Sequence, residues 1–314
     1  MISAKTSLVF PGQGAQKIGM GADFAQHGAA RALFEEADDV LQFNLSKLMF
    51  EGEQDILNLT ENTQPALLLA GVAALKVLED EAEKTVPELC AAVAGHSLGE
   101  YTALVAARVL SFADGIRLVR LRGQAMQKAV PVGKGKMAAS LGLDNTQVAD
   151  VAKQCGVFVA NDNSNGQVVL SGEAEKIDAA CVALKEAGAR RAVVLPVSAP
   201  FHCPLMAPAA DVMAEAFEGT TFNKPVVPVV ANVTAAYVNE GDAFKQLLTE
   251  QVTGGVRWRE SMVAMAENDI TQLIELGCGN VLSGLASRCD ERLAASPMRT
   301  VEDIKNFLAA SKAA

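Results

Sequence analysis

Between an apolar, strand-like segment at Ala91–Gly95 and a helix-like segment at Leu98–Ala107 stands the pentapeptide Gly95-His96-Ser97-Leu98-Gly99. A strand that must become a helix within so few residues needs glycines, which let the backbone bend without a Cβ clash. A serine at the bend projects its hydroxyl clear of the sheet. The helix N-terminus behind it offers free N–H groups and positive potential to a developing oxyanion. The pattern thus points to a strand–turn–helix unit of an α/β sheet and marks Ser97 as a candidate nucleophile. Taken alone, the same five residues also suit an ordinary strand-to-helix turn.

The surrounding chain reads as α/β throughout. Thr6–Phe10 is a short buried strand stopped by Pro11-Gly12-Gln13-Gly14. Helices are expected over Phe24–Phe43, over Pro65–Leu78 with Thr63 as its cap, and from a capping box at Ser111–Asp114 to Val130. The rhythm then changes. Met137–Leu141, Asn145–Cys155, Val157–Ala160, Gln167–Ser171, Glu173–Ala187 and Ala192–Val197 alternate as β-α-β-β-α-β, the ferredoxin-like order. This predicts a small subdomain over 132–198 inserted into a large domain formed by 1–131 and 199–314. Beyond the insert come a helix from Leu205, strands at Pro228–Val233 and Gln272–Leu276, and C-terminal helices.

Composition narrows the function. The 314 residues are half hydrophobic, enough for a sizeable core, and carry a net charge of −10 without any charge run. That argues against general nucleic-acid binding. The six cysteines form no CxxC pair and no zinc-like cluster, so no metal site is expected and the cysteines read as reduced. The longest apolar run, Ala66–Leu75, is about half of what a membrane helix needs, and no signal-peptide core is present. A cytoplasmic protein with no membrane contact is expected.

A nucleophilic serine needs a base, and the chain has three histidines. His27 lies in a polar stretch far from any motif, and His96 adjoins Ser97 at a turn where neighbours point apart. His202, in the rigid loop Pro200-Phe201-His202-Cys203-Pro204, is left as the base, while no Asp or Glu stands out as a third member. On a helical wheel for Ile116–Val130, Arg122 falls in the middle of the apolar face. A guanidinium there requires a partner. That partner is either a protein carboxylate in a structural ion pair or the carboxylate of a substrate. Pro11-Gly12-Gln13-Gly14 is a turn that would also let the Gln13 N–H approach a ligand. It lacks phosphate-loop spacing.

Together these segments resemble the malonyl-CoA:acyl carrier protein transacylase family. PGQGAQ at 11–16, GHSLGE at 95–100, RLRGQAM at 120–126, the NxNSxGQVVxSG pattern at 161–172, PVSAPFHCPLM at 196–206, and Gln251 followed by Val256-Arg257-Trp258 all fit, in the family's order. The resemblance implies an α/β-hydrolase-like large domain with a parallel sheet plus the ferredoxin-like insert. It implies Ser97 as nucleophile, His202 as base and Gln251 as the residue whose carbonyl orients His202. Arg122 would hold the malonyl carboxylate, and the N–H groups of Gln13 and Leu98 would form the oxyanion hole. Asn161 and Asn163 would border the pantetheine path. Malonyl-CoA and acyl carrier protein are the implied partners of a monomer without a cofactor.

Phe201 departs from the small residue many relatives carry before the histidine, at the pocket mouth. Because carrier proteins are acidic, Lys134, Lys136, Arg190 and Arg191 on or beside the insert, and Arg288 as a further one, are candidate docking cations, although they also suit an ordinary solvated surface. Rival readings are a serine thioesterase or other hydrolase on the same Ser97/His202 pair, a non-catalytic carrier-docking scaffold, and a standalone acyltransferase of polyketide synthesis.

Overall fold

In the computed structural model, residues 5–197 and 199–313 are described, without the side chains of 312 and 313. Ser198, the expected last residue of the insert and part of the 196–206 motif, lies outside the described residues, as do both chain ends. Ten strands run in order as β1 (Thr6–Phe10), β2 (Ala92–Gly95), β3 (Gly135–Leu141), β4 (Phe158–Ser164), β5 (Gln167–Glu173), β6 (Arg191–Val194), β7 (Val229–Ala231), β8 (Ala236–Val238), β9 (Gln272–Leu276) and β10 (Ala294–Met298). They form two sheets. A six-stranded sheet has the order β10-β9-β1-β2-β7-β8, parallel except for edge strand β8. A four-stranded antiparallel sheet has the order β4-β5-β3-β6.

β1, β2 and β7 are buried along their whole length, as parallel strands covered on both faces must be. The chain steps from β1 to β2 and β7, then returns to β9 on the far side of β1. Such a reversal opens a crevice at the carboxyl ends of the strands. The loops that leave β1, β2 and β7 there begin at Pro11, His96 and Asn232.

The helix expected from Pro65 starts five residues earlier and spans Thr60–Ala82, with Pro65 inside it. Thr63 is therefore no cap; its hydroxyl donates to Leu57 O at 2.6 Å. Proline has no N–H for the carbonyl four residues before it, that of Glu61. Arg120 Nη1 supplies the missing donor at 2.8 Å from the neighbouring Phe112–Ala129 helix. The Ser111 cap of that helix is present, with Oγ accepting from Asp114 N–H at 3.0 Å. The continuous helix expected over Phe24–Phe43 is split into Ala22–Ala25 and Arg31–Leu41. Gly28, a poor helix former, lies in the break, where the Ala30 and Arg31 N–H groups both turn back to His27 O.

The helices Asn145–Cys155 and Ala174–Glu186 cover one face of the antiparallel sheet with a small core of their own, including Leu143, Val148, Leu170, Ile177 and Leu184. β4 fastens this unit to the rest. Val256 N–H donates to Ala160 O and Asp162 N–H to Val256 O, while Arg259 Nη2 meets Asp162 Oδ2 at 2.7 Å.

Candidate active site

Both motif glycines are required by close approach. A Cβ on Gly95 would stand 1.8 Å from Gly99 O, and one on Gly99 would stand 2.2 Å from Phe10 O. The bend between β2 and the Gly99–Ala106 helix is thus wedged against the end of β1, where His96 N–H donates to Phe10 O at 3.0 Å. Ser97 sits at its apex with φ +54°, a left-handed conformation uncommon for a residue with a side chain. Asn232, just beyond β7, holds the bend from below. Its Oδ1 accepts from Ser97 N–H at 2.7 Å and its Nδ2 donates to Gly95 O at 2.7 Å.

The structure brings His202 to Ser97 although 105 residues separate them: Nε2 lies 2.7 Å from Ser97 Oγ. The other ring nitrogen, Nδ1, lies 2.8 Å from the backbone carbonyl of Gln251. A carbonyl oxygen can only accept, so Nδ1 carries the proton and Nε2 presents its lone pair to the Ser97 hydroxyl. Burial, with the Arg122 guanidinium adding to it, pushes the His202 imidazole down to about 3. The ring is therefore neutral, in the form a base needs, throughout the physiological range.

Arg122 is 1% exposed, as the apolar helix face predicts. Its Nη1 donates to Gln64 Oε1 at 2.8 Å, and its Nη2 to Gln251 Oε1 at 2.9 Å and Ser97 Oγ at 3.2 Å. The guanidinium lies over the Tyr101 ring, 5.6 Å from its centroid, and Nε has no hydrogen-bond partner. All its direct polar partners are neutral, and it forms no ion pair among the described residues. Of the two accounts of Arg122 the sequence allows, the structural ion pair is therefore not the one found. Its nearest acidic group, Glu100, reaches it only through Gln251; a buried cation with no anion in contact is costly, and this one faces a cavity.

That cavity has a volume of about 460 Å³ and is walled by Gln13, Gln64, Ser97, Leu98, Arg122, Asn161, Phe201 and His202 among others. Neither the Gln13 nor the Leu98 backbone N–H is used in a hydrogen bond among the described residues, and both residues flank Ser97 at the cavity wall. Phe201 is nearly buried in that wall. Asn161 reaches the cavity from β4, but Asn163 does not line it. Asn163 Oδ1 instead meets His96 Nε2 at 2.8 Å, and His96 also packs on Trp258. His96 thus ties the bend to the insert.

The four docking candidates do not form one patch. Lys136 and Leu141 stand near opposite ends of β3, about 17 Å apart at strand spacing. Arg191 pairs with Leu141, whereas Lys134 and Lys136 lie at the other end, where Lys136 binds Asp178 at 2.6 Å. Arg190 lies against Gly142, whose N–H bonds the β4–β5 turn at Gly166. The neighbouring Asn165 N–H contacts Arg288 O. Arg190 and Arg191 therefore lie at the end of the antiparallel sheet that the Arg288 backbone approaches.

Sequence reading missed Gln64, Glu100 and Asn232. Each is a buried polar residue whose partners lie far away along the chain. Only Glu100, adjoining the Gly95–Gly99 pentapeptide, stood beside a visible signal.

The family model described as the acyl transferase domain matches residues 7–294. The malonyl CoA-acyl carrier protein transacylase of Escherichia coli (strain K12) is 45% identical over 297 residues, covering 93% of this chain and 95% of its own. The chain belongs to the malonyl-CoA:acyl carrier protein transacylase family. The Bacillus subtilis (strain 168) transacylase is 44% identical over 308 residues, 95% of this chain and 96% of its own. Among solved transacylases, that of Xanthomonas oryzae superposes with a TM-score of 0.93 at 45% identity, covering 99% of each chain. A malonyl-transacylase solved with its type II polyketide-synthase acyl-carrier protein gives 0.93 at 42% identity, covering 98% of this chain and 100% of its own. In this family member no described helix is long and apolar enough to cross a membrane.

Proposed function

We propose that this protein transfers a malonyl group from malonyl-CoA to the phosphopantetheine thiol of an acyl carrier protein, through a malonyl ester on Ser97, for fatty-acid synthesis. One observation carries the reading: the guanidinium of Arg122, buried with no carboxylate in direct contact among the described residues, lies 3.2 Å from the hydroxyl that His202 is set to deprotonate. A thioester whose acyl group ends in a carboxylate supplies the missing charge at the distance where its carbonyl meets Ser97.

Ser97 Oγ passes its proton to His202 Nε2 as it attacks the thioester carbonyl. The Gln13 and Leu98 N–H groups receive the oxyanion, at about 3 kcal/mol for one such donor. Collapse breaks the C–S bond, and CoA leaves with the proton from His202. The carrier thiol then gives its proton to His202 and attacks the ester, and Ser97 regains a proton as it leaves. Gln251 O keeps the imidazolium oriented. Asn161 borders the pantetheine, and Asn163 acts at one remove through His96. The reading needs no cofactor, since CoA is a substrate and pantetheine arrives on the carrier.

We further read residues 1–131 and 199–314 as an α/β-hydrolase-like domain. Residues 132–198 then form a ferredoxin-like insert, a description that the order β4-β5-β3-β6 supports. Arg190, Arg191 and Arg288, with Lys134 and Lys136 at the other end, are the cations offered to an acidic carrier in a cytoplasmic, monomeric enzyme.

Intact-mass measurement tests the reading. Incubation with malonyl-CoA should add one malonyl group, absent in Ser97→Ala, that persists until holo-carrier is supplied. Rapid loss of the adduct to water would favour a thioesterase, and no adduct at all would overturn the proposal. The similarity to a transacylase solved with a polyketide carrier favours one second reading, service to polyketide synthesis. Relative kcat/KM for the two carrier types decides between them.

A further inference from the structure

Glu100 opens the helix behind Ser97, is 1% exposed, and has no part in the steps above. Its Oε2 accepts from Gln251 Nε2 at 2.7 Å and from Asn232 N–H at 3.2 Å, while Oε1 has no partner. Gln251 is the junction of the site. Its backbone carbonyl holds His202, its Oε1 holds Arg122, and its Nε2 also donates to Ser97 O at 2.9 Å.

A primary amide can sit in either of two orientations that fill the same volume. Turned over, Gln251 would aim Nε2 at the Arg122 donors and Oε1 at two acceptors, Glu100 Oε2 and Ser97 O. Both acceptors are shared with a backbone N–H, Ser97 O with that of Glu100 and Glu100 Oε2 with that of Asn232, and the contact of Gln251 Nε2 to Glu100 is the shorter, at 2.7 Å against 2.9 Å.

We propose that Glu100 is a positioning residue: it fixes the orientation of the Gln251 amide, and through it the placement of the Arg122 clamp beside Ser97. The inference deepens the transacylase reading and rests on it. Glu100 acts by reach, through Oε2, rather than by charge. Burial pushes its carboxyl up to about 7 against the opposing pull of Gln251, Asn232 and Arg122. A proton on the unpartnered Oε1 leaves both bonds at Oε2 intact, so charged and neutral forms hold Gln251 alike.

Two variants separate reach from charge. Glu100→Gln loses the charge and keeps an acceptor, its amide oxygen, which the Asn232 N–H favours at the place of Oε2; Glu100→Asp keeps the charge and withdraws the acceptor by one methylene. Single-turnover acylation of Ser97 by malonyl-CoA and by acetyl-CoA is followed by intact mass, with folding checked by thermal melting. Glu100→Asp is expected to slow malonylation about tenfold or more, the scale on which small displacements cost rate. The same variant should lower the malonyl-to-acetyl ratio several-fold. Glu100→Gln should restore both to within about threefold of the parent. Two variants alike in rate and ratio, or an active Asp beside an impaired Gln, would overturn the proposal. Absence of malonylation in the parent protein would instead overturn the transacylase reading, independently of Glu100.

Discussion

The two sheets of this molecule carry different burdens. Every residue of β1, β2 and β7 is buried, and the loops that leave their carboxyl ends supply Gln13, Ser97 and Asn232. In the antiparallel sheet, β5 is largely buried but β6 has no buried residue and β3 is only partly buried, and Asn161 and Met137 from this sheet complete the cavity wall. Ser97 and the groups that hold its bend are thus hung from strands that cannot shift without disturbing the core, whereas His202 reaches it from a loop and Arg122 and Gln251 from helices. The insert contributes wall and outer surface, where adjustment is cheap. The contrast teaches that positional tolerance here follows the sheet a residue hangs from rather than its distance from Ser97.

The largest effect that could break this comparison comes from adding one methyl group to each region. Gly95→Ala drives a Cβ into the Gly99 backbone and should cost about 4 kcal/mol or more, read as failure to fold or a collapsed melting temperature. Gly133→Ala, at φ +82° in open space just ahead of β3, should cost only about 1–2 kcal/mol. Equal losses would show that the insert is as unforgiving as the parallel sheet.

Next in size is Arg122→Ala. It should lower kcat/KM for malonyl-CoA by about 10²-fold or more while sparing or raising acetyl transfer, measured as thiol release. A variant that still prefers malonyl as strongly would remove Arg122 from the clamp. On the insert, Arg190→Glu with Arg191→Glu should raise KM for carrier by about fivefold and leave KM for malonyl-CoA unchanged. The corresponding change at Lys134 and Lys136 tests the other end of β3. An unchanged carrier KM in both would move docking off the insert.

The smallest expected effect is a flat line. Because the folded imidazole of His202 is depressed to about 3 from an ordinary 6.5, acylation of Ser97 by an uncharged electrophile should hold its rate from pH 8 down to about 5.5. The same shift means that the unfolded chain binds the proton first. The stability tied to this group is complete above about 6.5 and is lost progressively as pH falls toward 3. A rate limb near 6.5 would show a solvated base.

Much of this arrangement was legible wherever local pattern decides it. β1, β9 and the Asn145–Cys155 helix fall where the sequence places them, and the alternation in the insert is present strand for strand. Misreadings arose where distant partners overrule local preference. Pro65 looks like a helix start because proline suits a first turn, yet it lies inside the helix because its lost hydrogen bond is made good by Arg120, which only the folded chain brings near. Where the sequence suggests only helices at the C-terminal end, Ala294–Met298 forms β10, an edge strand of the kind that tolerates Pro297. In the site, Ser97, His202 and Arg122 announced themselves by motif, elimination and a helical wheel. Gln64 and Asn232 are ordinary polar residues until β7 and two helices converge.

Ser97 and His202 both adopt left-handed backbone, at φ +54° and +57°. A threonine would offer the same hydroxyl as Ser97, yet its branched Cβ resists that region far more than an unbranched side chain does. The obvious chemical alternative is thus closed by conformation, while cysteine, unbranched at Cβ, remains open to it. What nucleophiles this position can exchange is governed by the shape of the main chain before any question of reactivity arises.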